Sequence, residues 1–130
     1  MKAKDVMIGN YVTDQKGKPV RVASINSKGI TYGNGNMMHF LSDKEMGELL
    51  LTTTIVEKNG GIFLRSDIST YTILGGLADY QLRLCDSVWQ IGVVRCCNDV
   101  QIFQPVMCLT AVHQLQNALL MLSIDKEIVL

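Results

Sequence analysis

Four cysteines and two histidines are the residues best suited to nucleophilic, redox or metal chemistry in this chain. Cys85, Cys96, Cys97 and Cys108 stand with ten residues between the first two and ten between the last two. A zinc site needs two close pairs, or one pair with histidines, so that short loops bring the ligands round the ion. On a strand the neighbours Cys96 and Cys97 would point to opposite faces. A redox-active thiolate needs a helix start or a cationic neighbour, and Arg95 on the same strand would point away from Cys96. The spacing therefore predicts small buried apolar thiols. A nucleophile and base such as Cys97 with His113 can be written down, but no local signature supports the pair. His113 reads as a surface residue on the polar side of a helix, and His39, between Met38 and Phe40, as a strand residue. No reaction class follows, so the expectation is a protein that is not an enzyme and uses no cofactor and no metal.

Other chemistries lack their motifs. Gly33-Asn34-Gly35-Asn36 has no Lys-Ser/Thr ending, and no helix follows at once to aim amides at a phosphate. Gly75-Gly76 fails for the same reason. Asp43 and Glu45 are explained by helix capping rather than as paired carboxylates. Aromatic residues are only 6% of the chain, which supplies a base-stacking surface poorly. Trp89 reads as core, and the seven methionines as gap-fillers.

The formal net charge is zero over 130 residues. A general nucleic-acid binder usually carries a basic excess that releases counterions on binding. The charge is unevenly spread, however: residues 1–42 carry a net +4 and residues 43–130 a net −4. The candidate nucleic-acid contacts are therefore Lys16, Lys18, Arg21 and Lys28. The opening Met1-Lys2-Ala3-Lys4-Asp5 leads into only three apolar residues before Gly9, too few for a signal core. Ala118–Leu122 falls far below the ~20 apolar residues of a membrane helix. These features predict a cytoplasmic protein without membrane contact and with reduced thiols.

Elements that would position these residues follow from turn chemistry and periodicity. Tyr11–Thr13, Pro19–Ile25 and Ile30–Tyr32 are separated by Gln15–Lys18 and Asn26–Gly29, which suits a small, bent, SH3-like antiparallel sheet. Ser42 and Glu45 form a capping-box pattern, with Leu41 and Met46 as its hydrophobic staple, predicting a short helix to about Leu51. The β-branched run Thr52–Val56 predicts a strand, and Asn59-Gly60 a hairpin turn toward Ile62–Leu64. Strands are expected over 70–74, 80–85, 88–96 and 100–107, with a turn at Asn98-Asp99 and an edge at Pro105. Val112, Leu115, Leu119 and Leu122 form one stripe of a helix over 111–122, capped by Thr110. Its end is apolar nearly all round, which suits burial on several sides or self-association through Leu119, Leu120 and Leu130. Lys126–Leu130 could add a last short strand.

Two stretches carry a resemblance. Lys4-Asp5-Val6-Met7-Ile8-Gly9-Asn10-Tyr11-Val12 resembles the opening of a family of small uncharacterised proteins from Bacteroides-type gut bacteria, their prophages and mobile elements. Ala111–Leu119, with Ile124–Ile128, is similar to that family's closing segment. The family's middle has a proline-flanked strand leading into a tryptophan-bearing helix. Here Phe40–Met46 has neither residue. The resemblance implies a genomic setting and no catalytic residues.

The sequence thus predicts a single α+β domain over residues 1–130. A barrel-like lobe would span 1–41, and an α+β lobe with a short helix, further antiparallel strands and one long C-terminal amphipathic helix would span 42–130. It predicts an accessory protein that binds another protein, with a homo-oligomer as one form. A weak nucleic-acid-binding module is the alternative.

Overall fold

The computed structural model describes the backbone of residues 1–60, 63–65, 69–73 and 77–130, and the side chains of 1–60 and 80–130. The chain divides into a first unit, residues 1–50 with 111–123, and a second, residues 51–110 with 124–130. The division thus falls later than residue 41, and the C-terminal helix belongs to the first unit. Among the described residues, strands, two short α-helices and a 3-10 turn at Ala3–Asp5 make this an α+β protein.

In the first unit, β1 (Tyr11–Thr13) pairs antiparallel with β2 (Pro19–Arg21). Asp14 builds the turn between them: its Oδ1 accepts the Lys16 and Lys18 amides, each at 2.9 Å. β3 (Ser24–Asn26), β4 (Gly29–Asn34) and β5 (Met37–Ser42) form a separate three-stranded antiparallel sheet. The chain passes between the sheets at Val22-Ala23. The Val22 amide donates to Asn10 (2.9 Å) and the Ala23 amide to Thr31 (2.8 Å). The expected SH3-like barrel is not formed, because this crossing leaves two sheets rather than one closed one. Val12, Val22, Ile30, Leu41 and Met46 are buried together with Ala3 and Val6.

Only half of the Ser42 capping box forms, since the Glu45 amide bonds to the Ser42 carbonyl rather than to its hydroxyl, and it starts no helix. Ser42 donates its amide to Glu45 Oε1 (3.1 Å), and Met46 donates to the Ser42 carbonyl (3.0 Å). Gly47 then exchanges two backbone hydrogen bonds with Thr13, at 2.9 and 3.0 Å, which diverts the chain after one turn.

The C-terminal helix is short as well. It spans ten residues, Val112–Met121, and is capped at Ala111 rather than Thr110. Gln114 Oε1 accepts the Ala111 amide at 3.1 Å, satisfying a helix-start donor. Val112, Leu115, Ala118 and Leu119 are buried. Leu120 and Met121 are exposed, so the helix end is not buried all round. Its polar side is half-buried and engaged within the fold. Gln116 accepts the Tyr11 amide (2.8 Å) and donates to the Gly9 carbonyl (3.1 Å), while Asn117 accepts from the buried Asn10 (2.9 Å). The opening and closing stretches that carry the resemblance therefore bond to each other.

The second unit starts with α1 (Thr53–Lys58) where a strand was expected. The Thr52 hydroxyl accepts the Ile55 amide at 3.3 Å, an N-cap. Asn59-Gly60 closes the helix instead of a hairpin: Asn59 is the C-cap and Gly60 has φ +87°. That left-handed position is where helices commonly stop. The hairpin's other arm begins at Ile62, outside the described residues, as do Leu74, Gly75 and Gly76 of the expected strand and break.

β6 (Phe63–Arg65), β7 (Ser69–Ile73), β8 (Leu77–Cys85), β9 (Val88–Cys97) and β10 (Val100–Leu109) form one antiparallel sheet in that order. Asp86-Ser87 and Asn98-Asp99 turn the last two hairpins, with φ of 48°, 69°, 51° and 64°. Two successive positive values match the twist of tight hairpins. Leu82, Trp89, Ile91 and Leu109 are buried, and Trp89 Nε1 donates to the Leu51 carbonyl at 3.0 Å. Trp89 is thus a core residue, as its sequence context suggested. The tail buries Ile124 and Ile128 without forming a strand.

Candidate functional site

The β1–β2 turn and the β4–β5 hairpin bring cations and aromatic rings together in the first unit. Tyr32 on β4 lies opposite His39 on β5. Their rings stack with centroids 5.3 Å apart and planes 23° from parallel. Two register positions away, Ile30 and Leu41 are buried, so both rings extend the core face of the sheet toward its open end.

Tyr32 lines two clefts. One, of about 300 Å³, is lined by Asp14, Lys16, Tyr32, His39, Phe40 and Glu45. The other, of about 190 Å³, is lined by Asp14, Lys18, Arg21, Tyr32 and Asn34. Arg21 is oriented by its Nε bond to the Gly9 carbonyl (3.1 Å), with its guanidinium 5.4 Å above the Tyr11 ring. The acids in these clefts have structural duties. Asp14 holds its turn, and Glu45 accepts from Ser42 and from the Gln15 side chain. Hydrogen bonds from the Ser42 side chain and backbone hold the Glu45 carboxyl below its ordinary pKa.

Three of the four basic candidates, Lys16, Lys18 and Arg21, therefore surround one aromatic ridge. Lys28 does not join them: it sits on the β3–β4 turn, whose Asn26 side chain accepts the Lys28 and Gly29 amides. A third cavity, of about 430 Å³, is lined by Lys2, Lys4, Ile25, Asn26, Ser27 and Asp43 together with Ala3, and has no aromatic ring. The sequence reading missed Tyr32 and His39 as a pair. Hairpin register was the signal: with Gly35-Asn36 as the turn, Tyr32 and His39 must oppose each other.

The second unit offers a different surface. β10 is the sheet's outer strand, with a register shift between Pro105 and Met107. Its ten residues, Val100–Leu109, carry no charge. Val100, Ile102 and Val106 are 59%, 49% and 48% exposed. Every residue from Arg95 to Ile102 is exposed. On the inner side of this strand Phe103 lies against Gly92, and the Arg83 guanidinium stacks on the Phe103 ring at 4.0 Å. A Cβ at Gly92 would meet the ring and the Gln104 carbonyl at 2.5 Å, so this close approach requires glycine.

The reactive residues are distributed otherwise than their sequence suggested. All four cysteines are exposed, not buried. They fall on the ends of β8 and β9 and on the outer strand β10, where less of the sheet covers them. His113 is buried at 3% exposure rather than placed on the surface. Its Nδ1 has no hydrogen-bond partner. Burial pushes its pKa down, opposed by the charges of Glu48 and Asp5. Of the methionines, Met46 is buried while Met7, Met37, Met38 and Met121 are exposed. Among the described residues, no three His, Cys, Asp or Glu side chains are grouped to hold a metal ion. Leu119 is 1% exposed and so unavailable as a contact, Leu120 is 62% exposed, and Leu130 is half-buried.

Among the described residues no helix is long and apolar enough to cross a membrane. No protein-family model matches the sequence, and no curated protein or solved structure shows significant similarity to it.

Proposed function

We propose that this chain works by binding rather than by catalysis, as an accessory or adaptor protein that engages another protein in the cytoplasm. The setting of a prophage or mobile element, implied by the resemblance of its two ends, suits such a role. One observation carries the reading: β10 is an outer strand that is uncharged and exposed, with Val100 and Ile102 on its surface. Edge strands that must stay unpaired are usually guarded by charge, proline or a bulge. Here Pro105 and the bulge guard only the half nearer Leu109. Val100–Gln104 has no such guard, and an extended segment of a partner can add to it as a further strand.

The test is purification of the chain from its own cells beside Val100→Lys/Ile102→Lys. The reading predicts a stoichiometric protein partner held by the natural chain and lost by the variant. Light scattering then shows whether that partner is a second copy. A partner retained equally by both chains would remove β10 from the account.

A further inference from the structure

We infer that the Tyr32–His39 pair is a stacking platform for single-stranded nucleic acid, with Lys16, Lys18 and Arg21 as its phosphate contacts. This goes beyond the protein-binding reading and concerns the other unit.

The platform is preorganised. Its rings are stacked across two paired strands, and Tyr32 packs against the buried core. Little side-chain freedom remains to be lost on binding. Tyr32 lines two clefts, of about 300 and 190 Å³, and His39 lines the larger of these two. These lie at or below the lower end of the roughly 300–1,000 Å³ range of drug-sized sites, so each suits one planar ring rather than a whole metabolite. Cations stand in both clefts: Lys16 in one, Lys18 and Arg21 in the other. Among the described residues the Lys16 and Lys18 ammonium groups make no ion pair. Asp14 stands in both clefts and Glu45 in the first, held by neutral donors, so the Lys18 and Arg21 cleft is the more cationic of the two.

A single strand supplies what this arrangement lacks: flat rings in succession, joined by negative charge. Base stacking on aromatic residues combined with a cationic track is how sequence-tolerant single-strand binding works. A duplex keeps its bases stacked inside. An acidic peptide would meet the lysines but leave the rings without a partner. The low aromatic content of the chain is no obstacle, since the fold collects the rings at one place.

Fluorescence anisotropy of the full chain with labelled single-stranded DNA and RNA tests this. Three phosphate contacts on a single strand predict a slope of log affinity against log salt of about −2. Tyr32→Leu should weaken binding on the order of ten- to a hundredfold and leave that slope unchanged. Tyr32→Phe, which keeps the ring, should bind as the natural chain does. Lys16→Gln/Lys18→Gln changes only exposed positions, so the fold is not at risk, and should reduce the slope to about −0.7. If Tyr32→Leu fails to fold, this lysine variant decides. Absence of binding to either strand type at low salt would overturn the proposal. So would a folded Tyr32→Leu that binds like the natural chain, or polyglutamate of matched charge binding as tightly as the oligonucleotides.

Discussion

Asn59 offers the sharpest stability prediction. Its side chain is buried at 4% exposure. It donates to the Ile55 carbonyl at 2.9 Å and to the Val129 carbonyl at 2.7 Å, and accepts the Val129 amide at 2.7 Å. The amide thus pairs with the tail as a neighbouring strand would, which explains how Ile128 stays buried in a segment without regular structure. Asn59→Ala removes all three bonds, each worth a net ~1 kcal/mol. Val129 is 56% exposed, so its freed backbone groups can bind water, and the Ile55 carbonyl still accepts the residue 59 amide. The expected loss is therefore about 2 kcal/mol rather than 3. Asn59→Asp keeps the shape but turns a carboxylate oxygen toward two carbonyls. Its folded-state pKa must rise, because the proton restores a donor there. This variant's stability is then greatest below the ordinary aspartate range and falls as pH rises through the raised value. Urea unfolding followed by Trp89 fluorescence measures both, since the only tryptophan lies in the same unit. An Asn59→Ala loss below about 0.5 kcal/mol, within the range of an ordinary surface change, would refute the reasoning. An Asn59→Asp midpoint indifferent to pH would do the same.

Other outcomes follow from the same geometry. Burial lowers the His113 pKa below its ordinary 6.5. Its contribution to stability is complete above that value and is lost as pH falls toward the folded-state pKa; His113→Leu should flatten this dependence in unfolding curves below pH 6.5. Gly92→Ala must displace Phe103 or the Gln104 carbonyl. Its cost should be about 1–3 kcal/mol by urea unfolding, and a neutral result would show that the strands yield more easily than argued. The four exposed thiols should all react with a chromogenic disulfide in the native protein. Reaction that waits for denaturant would contradict their exposure.

Legibility in the sequence followed the range of the interactions. The hairpins of β8, β9 and β10 were readable, with bounds off by up to three residues, because hairpin turns and alternation are local signals. Of the Ser42 capping box, only the bond from the Ser42 amide to the Glu45 carboxylate forms, and Gly47 bonds to Thr13 instead of extending a helix. Thr52–Val56 has strand composition, but Thr52 at an N-cap and Asn59-Gly60 at the other end suit a helix equally well. Tertiary context decided between them. The polar face of the C-terminal helix looked solvated because its partners, Gly9, Asn10 and Tyr11, lie about a hundred residues away in sequence. Of the candidate site, the lysines and Arg21 were legible from charge alone. Their meeting with Tyr32 and His39 depends on how two sheets pack, and no local pattern encodes that.

If β10 is the surface this protein uses, a bound partner must cover its outer edge. Hydrogen exchange on the chain isolated with its partner, compared with the chain alone, tests it most directly. New protection concentrated in Val100–Gln104 is the predicted result. A complex that leaves those amides exchanging as before, or a chain always recovered alone from its own cells, would contradict the claim.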